Sequence, residues 1–178
     1  MSASIVRRPP PALETRFSDS YSPLLQRVLS ARGMQSDDDI SLRLRDLLPP
    51  TLKGLDEAVE LLVAAMSRGQ RIVVVGDFDC DGATSCALFI KVMSALGYAN
   101  VGFIVPNRFE FGYGLTPEII DFLAPQKPDL IVTVDNGIAS LEGVDYAKSL
   151  GISVLITDHH LPGCELPNAD AIVNTYLN

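Results

Sequence analysis

Ile72-Val73-Val74-Val75-Gly76-Asp77-Phe78-Asp79-Cys80-Asp81-Gly82 is the stretch on which the fold turns. Its first four residues are apolar and β-branched, too short a run for a helix and suited to a strand buried on both faces. Three aspartates at alternate positions follow, and Ala83 to Leu96 then repeats with helical period until Gly97. A buried strand, a carboxylate-rich turn and a helix open a βαβ unit. Residues two apart in an extended segment point the same way, so Asp77, Asp79 and Asp81 are expected to face one pocket, with Cys80 packed away from it.

Working outward, the same alternation recurs. Asp56 to Arg68 has helical period with Gly69 at its end. Val101 to Val105 reads as a strand, and Thr116 to Leu123 as a helix with Pro117 in its permitted first turn. Leu130 to Val134 is a strand, Ser140 to Leu150 a helix closed by Gly151, Ile152 to Ile156 a strand, and Ala171 to Val173 the beginning of another. The prediction for residues 54–178 is an α/β fold, a parallel β-sheet flanked by helices. Residues 1–53 read as an N-terminal arm and helical preface. Pro9, Pro10 and Pro11 exclude a helix, Leu24, Leu25, Val28 and Leu29 share one helical face, and Ile40, Leu44, Leu47 and Leu48 share another before Pro49-Pro50.

Ligands of parallel sheets bind beyond the carboxyl ends of the strands, and that is where the chemically competent residues fall. After Leu130–Val134 comes Asp135-Asn136-Gly137, and after Ile152–Ile156 come Asp158, His159 and His160. One aspartate after a strand is most simply a helix cap. Five aspartates and both histidines of the chain at one sheet edge repel unless cations neutralise them. A calcium loop is the first alternative, but it needs an acidic residue where this chain has Leu88. Carboxylates with imidazole and no thiolate suit manganese or magnesium. Several bridging-capable carboxylates suit two such ions on a phosphoryl group. The loop from Pro106 to Leu115 adds Arg108, a planar fork suited to phosphate, and Gly112-Tyr113-Gly114, a stacking ring between two residues that allow close backbone approach.

Composition narrows the classes. The net charge is −8, divided unevenly. Residues 1–53 carry eight Lys/Arg against six Asp/Glu (+2), and residues 54–178 carry six against sixteen (−10). An acidic domain is a poor partner for nucleic acid unless its carboxylates are loaded with cations. No apolar stretch reaches membrane-spanning length, and Met1 to Arg16 lacks the apolar core of a secretory signal. Three cysteines without Cys-x-x-Cys spacing suit a reducing cytoplasm rather than a disulfide framework.

Four motifs, Asp77 to Gly82, Pro106 to Leu115, Val134 to Gly137 and Asp158-His159-His160, carry a resemblance to the DHH phosphoesterase superfamily, and within it to RecJ-type single-stranded-DNA-specific exonucleases. The resemblance implies a Rossmann-like domain and 5′-to-3′ degradation of single-stranded DNA in repair and recombination. It implies two divalent cations, Mn2+ or Mg2+, and a single-strand-binding protein as a possible partner. Carried over by motif, Asp79, Asp81, Asp135 and His159 hold metal, and His160 ligates or meets the scissile phosphate. Asp158 orients His159, Asp77 stands behind the ligands, and Arg108, Gly112, Tyr113, Gly114, Asn136, Gly137 and His160 face substrate. Enzymes of this type usually have alanine at Cys80, and they continue well beyond the double histidine, so the domain is expected to be incomplete at its C-terminus.

Rivals make distinct demands. A haloacid-dehalogenase phosphatase requires a covalent aspartate, usually with threonine or valine after the second carboxylate, where this chain has Gly82. A pyrophosphatase of the same superfamily needs a histidine at the position of Val75. Small-oligonucleotide hydrolases of the superfamily are closer competitors, to be separated by substrate length. A non-catalytic metal-binding fragment of the exonuclease is the alternative from a different class.

Overall fold

A computed structural model of the chain describes Val6, residues 16–41, Arg43 and residues 51–177. The proline arm and the expected helical run from Leu44 onward lie outside the described residues. The chain divides into two compact units, Met1–Pro50 and Thr51–Asn178. In the first, helix α1 (Pro23–Ala31) starts where Ser22 accepts a hydrogen bond from the Leu25 amide at 3.3 Å, with proline as its first residue. Asp37–Ile40 forms a 3-10 turn. The Asp39 carboxylate accepts from the amides of Gln35 and Ser36 at 2.7 and 3.0 Å, and these bonds lower its pKa.

The second unit runs α2 (Leu55–Ser67), β1 (Ile72–Gly76), α3 (Cys80–Ala95), β2 (Val101–Ile104), α4 (Arg108–Phe111), α5 (Pro117–Leu123), β3 (Leu130–Val134), α6 (Leu141–Ser149), β4 (Ser153–Asp158) and β5 (Ala171–Asn174). All strand pairs are parallel, in the order β2-β1-β3-β4-β5. Phe103, Val74, Val132, Leu155 and Ala171 form one row across the sheet. Alternate residues of the inner strands bury on opposite faces. Ile72, Val74, Leu130, Val132 and Leu155 pack with Ala65 of α2 and Cys86 and Met93 of α3. Val73, Val75, Ile131, Val154 and Ile156 pack with Ile119 and Ile120 of α5 and Val144 and Ala147 of α6. The strand order reverses between β1 and β3, so a crevice opens past their carboxyl ends.

Element boundaries depart from expectation where they touch the acidic turn. α3 begins at Cys80, three residues before Ala83, because the Asp79 side chain accepts from the Gly82 amide at 3.1 Å and caps it. Asp81 therefore lies on a helical turn, and the alternation argument for three aspartates on one extended face does not hold. Cys80 is exposed rather than packed. β4 runs on to Asp158, two residues past Ile156. The single turn α4 was not expected, since four residues are too few to show a period; Asn107 caps it by accepting from the Phe109 amide at 3.1 Å.

Cys86 is buried, and burial pushes its thiol up to about 11, whereas Cys80 and Cys164 are exposed. At pH 8 a thiol reagent should label two cysteines of the native chain quickly and the third only on denaturation. Labelling of all three at one rate would contradict the packing of α3 on the sheet.

Candidate metal centre

Each strand end contributes a differently held carboxylate. At the end of β1, Asp77 is buried, and its Oδ1 accepts from the Phe78 amide at 2.6 Å and from Arg108 Nη2 at 2.8 Å. Arg108 also stands 3.9 Å from Asp79 Oδ2. The Gly82 amide is the main reason the Asp79 pKa is lowered, with Arg108 a lesser cause. Gly82 lets α3 reach this turn, because a Cβ there would lie 2.6 Å from the Asp77 backbone nitrogen and 2.8 Å from its carbonyl carbon.

At the end of β3 the chain turns through a left-handed conformation. Asp135 has φ of +63°, a region that aspartate tolerates better than most side chains and that often marks functional sites. The Asp135 amide donates to the Thr157 carbonyl of β4 at 3.0 Å. Asn136, fully buried, donates through Nδ2 to the carbonyls of Val75 at 3.0 Å and Val134 at 2.9 Å, tying β1 to β3 at the point where strand order reverses. Gly137 has φ of +113°, and a Cβ there would stand 2.5 Å from Thr133 Oγ1.

At the end of β4, the buried Asp158 organises both histidines. Its Oδ2 accepts from the Ile138 amide at 2.9 Å; its Oδ1 accepts from the amides of His159 at 2.7 Å and His160 at 3.0 Å. The same Oδ1 accepts from His160 Nδ1 at 2.7 Å. The ring that Asp158 orients is thus that of His160, and the expectation that it orients the His159 ring is corrected: it reaches His159 only through the backbone. Its charge-assisted bond raises the His160 pKa. His159 Nε2 instead points at Asp135 Oδ1, 2.8 Å away, and lies 3.8 Å from Asp81 Oδ2.

The loop closes the arrangement from the side. The Tyr113 hydroxyl is 3.3 and 3.4 Å from the two ring nitrogens of His160, an equidistance that aligns it with neither nitrogen in the ring plane. Partial burial, helped by the nearby carboxylates, pushes this phenol up to about 12. Arg108 lies 5.9 Å above the Tyr113 ring. Gly114 lies where a Cβ would come 2.6 Å from Ser140 Oγ, and that hydroxyl accepts from the Leu115 amide at 2.9 Å. Gly112 ends α4 at φ of +77°.

Ligand atoms of Asp135, His159 and His160 lie within 4.8 Å of one another, as do those of Asp77, Asp79 and Asp135. Asp135 belongs to both groups. Its Oδ2 is buried without a partner, as is Asn136 Oδ1. A buried unpaired carboxylate oxygen is costly, and a cation is the natural partner for it. Burial first, then the charge on Asp81, raises the Asp135 pKa, the mark of a site with too much negative charge and too little compensation. Oxygen and imidazole donors without thiolate fit manganese or magnesium, so the residues present suit the metal that their motifs imply.

Residues 71–178 match the family described as DHH family, N-terminal domain. The chain belongs to the DHH family. Among curated DHH relatives, the single-stranded-DNA-specific exonuclease RecJ of Escherichia coli (strain K12) is 52% identical over 156 residues, which are 87% of this chain and 27% of that protein. The RecJ of Bacillus subtilis (strain 168) is 37% identical over 86% of this chain and 20% of its own length. Two solved structures share the fold. A crystal structure of exonuclease RecJ bound to manganese matches with TM-score 0.66 and 40% identity over 74% of this chain and 33% of its own. RecJ of Thermus thermophilus in complex with Mn2+ gives 0.62 and 35%, covering 82% of this chain and 20% of its own. The chain thus spans about a quarter of the length of the E. coli relative.

Two positioning residues escaped the sequence reading. Asn174 of β5 is fully buried, donates from Nδ2 to the His160 carbonyl at 2.9 Å and accepts from the Tyr176 amide at 2.8 Å. Ser140 holds the loop at Leu115. Asn174 carried a readable signal, a polar residue directly after an apolar strand, which is the rule that exposed the other three sites. Ser140 carried none, because a serine before a helix reads as a cap.

Proposed function

We propose that the DHH domain of this chain hydrolyses phosphodiester bonds of single-stranded DNA from the 5′ end, with two divalent cations, Mn2+ or Mg2+, held at the strand ends. The observation that carries the reading is Asp135, shared by both candidate ligand groups and left with a buried unpaired oxygen. In this reading Asp79, Asp81, Asp135 and His159 hold metal. Asp81 lies outside both ligand groups but 3.8 Å from His159 Nε2. Asp77, whose Oδ1 is taken by Arg108 and the Phe78 amide, stands behind with Asp158. When bound, the cations neutralise the carboxylates, polarise the phosphodiester and make water acidic enough to serve as nucleophile.

The chain's own residues then bind and orient. Arg108, anchored by its ion pair with the buried Asp77, presents its remaining guanidinium edge to a phosphate of the strand. His160, locked by Asp158 through Nδ1, turns its other nitrogen towards the scissile phosphate. Tyr113, flanked by Gly112 and Gly114, offers a face on which a base can stack. Asn136 and Gly137, expected from the motif to face substrate, take a different role in this reading: Asn136 is fully buried with its amide on the Val75 and Val134 carbonyls, and the pair holds the β3 turn that aims Asp135.

The names of the DHH relatives, single-stranded-DNA-specific exonucleases, support the choice of substrate. A role in repair and recombination, a single-strand-binding protein as partner and a cytoplasmic location belong to the same proposal. The free Cys80, Cys86 and Cys164 suit the reducing location in that reading.

Digestion of single-stranded DNA labelled at one end or the other, with manganese or EDTA, tests the reading. Manganese-dependent release of the 5′ label is the expected result. Release from the 3′ end, release that survives EDTA, or no release from manganese-loaded protein would each overturn it. Arg108→Ala should raise KM at least about tenfold with a smaller change in kcat, since a charge-assisted phosphate contact contributes roughly 1.5–3 kcal/mol. An unchanged KM would remove Arg108 from the phosphate site.

A further inference from the structure

The rim of the metal centre carries rings that the packing leaves uncovered. Phe109 is 87% exposed, the highest value among the large apolar side chains of the described residues, and it follows Arg108 in α4. Phe78, between Asp77 and Asp79, is 48% exposed, as is Tyr113. Single apolar side chains at a surface are ordinary, but a cluster at one edge marks a place where something binds. One carboxylate oxygen brings the three together. Asp77 Oδ1 accepts from both the Phe78 amide and Arg108 Nη2, and Arg108 lies 5.9 Å above the Tyr113 ring. The Asn107 cap on the Phe109 amide fixes where that side chain leaves the backbone. Among the described residues, neither Phe78 nor Phe109 packs its ring on another aromatic, whereas the Phe111 ring lies 5.6 Å from that of Phe122.

Charge at this edge is a poor holder of a nucleic-acid backbone. Residues 54–178 carry six Lys/Arg against sixteen Asp/Glu. Of the six, Arg68, Arg71, Lys127 and Lys148 stand ahead of strands, at the amino edge of the sheet, and Lys91 lies within α3. Arg108 is the one at the carboxyl edge. Beyond the scissile phosphate, Arg108 alone of the six can neutralise a neighbour, so backbone contact supplies little affinity there. A base offers a π-face instead, and an aromatic side chain accepts it whatever the sequence. In a duplex those faces are covered by neighbouring pairs. A stacking edge therefore selects unpaired strands.

We propose that Phe109 and Phe78, beside Tyr113, form a stacking platform for the unpaired bases next to the scissile phosphate. This platform, rather than charge, gives the site its preference for single strands. The inference rests on the phosphodiesterase reading above and adds to it the two residues that choose the form of the substrate.

Binding of matched strands by the manganese-loaded chain tests the proposal. One single strand carries bases and the other has the same sugar–phosphate backbone without them; phosphorothioate linkages in both slow hydrolysis. The base-bearing strand is expected to bind at least about tenfold more tightly. Phe109→Ala and Phe78→Ala should each weaken its binding at least about fivefold, the low end for stacking on an aromatic ring, while the base-free strand binds as before. Phe103→Ala, which removes an exposed ring from the edge strand β2, should change neither. Equal affinity of the unaltered chain for the two strands would overturn the proposal. So would undiminished binding by the Phe109 or Phe78 variant, or a blunt duplex that binds as tightly as the base-bearing strand. Manganese-dependent release of label from unmodified DNA is read separately. Equal binding with release intact sinks the platform alone, whereas absence of release sinks the phosphodiesterase reading.

Discussion

Asp135→Ala should abolish manganese-dependent hydrolysis while leaving the fold intact. Asp135 is the one residue common to both ligand groups, so its removal strips each of a donor. The loss should exceed the about 10–100-fold typical of residues that merely support metal ligands. Stability should change little, because two effects oppose. Alanine at φ of +63° is strained by about 1–2 kcal/mol. Against that, the substitution removes a buried carboxylate oxygen with no partner, whose desolvation costs a similar amount, about 1–3 kcal/mol. Turnover and thermal unfolding measured side by side check the prediction. Retained activity would remove Asp135 from the metal centre; collapse of the fold would mean that its role is structural. Asp135→Asn separates shape from charge. It tolerates the left-handed turn but supplies no anion, so it should match the alanine variant in activity.

Gly82→Ala is expected to damage the metal centre more than it damages the fold. The new Cβ would collide with the backbone of Asp77, 2.6 Å from its nitrogen and 2.8 Å from its carbonyl carbon. Backbone atoms cannot rotate out of the way, so the first turn of α3 must back off from β1. That turn carries Asp79 as its cap and Asp81 beside it, while the displaced strand end carries Asp77 and, through it, Arg108. Overpacking of this kind costs roughly 1–3 kcal/mol in stability, and Mn2+ affinity should fall at least tenfold because several carboxylates move together. Gly97→Ala is the control. It sits at positive φ, +77°, but a Cβ there meets nothing within 4 Å. Its cost should be limited to about 1–2 kcal/mol of backbone strain, with Mn2+ binding unchanged. Equal Mn2+ affinity for the Gly82→Ala variant and the unaltered chain would show that the α3–β1 contact does not set the site.

Much of this architecture was legible because buried parallel strands advertise themselves. Ile72–Val75 and Leu130–Val134 are apolar with little interruption, and a chain that places Asp, Asn or His directly after such runs declares its functional edge. The order β2-β1-β3-β4-β5 was not legible, since no local pattern encodes which strand crosses to the other side. The acidic turn was read in the wrong conformation for a related reason. Alternate aspartates in an extended segment and aspartates on a capped helical turn have the same sequence, and only the Asp79–Gly82 bond chooses between them. The partner of Asp158 was equally hidden. Two adjacent histidines are equivalent in sequence, and the choice of the His160 ring depends on a turn in which Asp158 already accepts both backbone amides. The gathering of aspartates and histidines at one sheet edge was readable; the pairing among them was a matter of three-dimensional reach.

Calorimetric titration of the metal-stripped chain with Mn2+, beside the Asp135→Ala variant, tests the central claim most directly. Saturable binding of two ions per chain, lost in the variant, is the predicted result. Absence of saturable binding, or binding that survives in the variant undiminished, would contradict the assignment of the strand-end cluster as a metal centre.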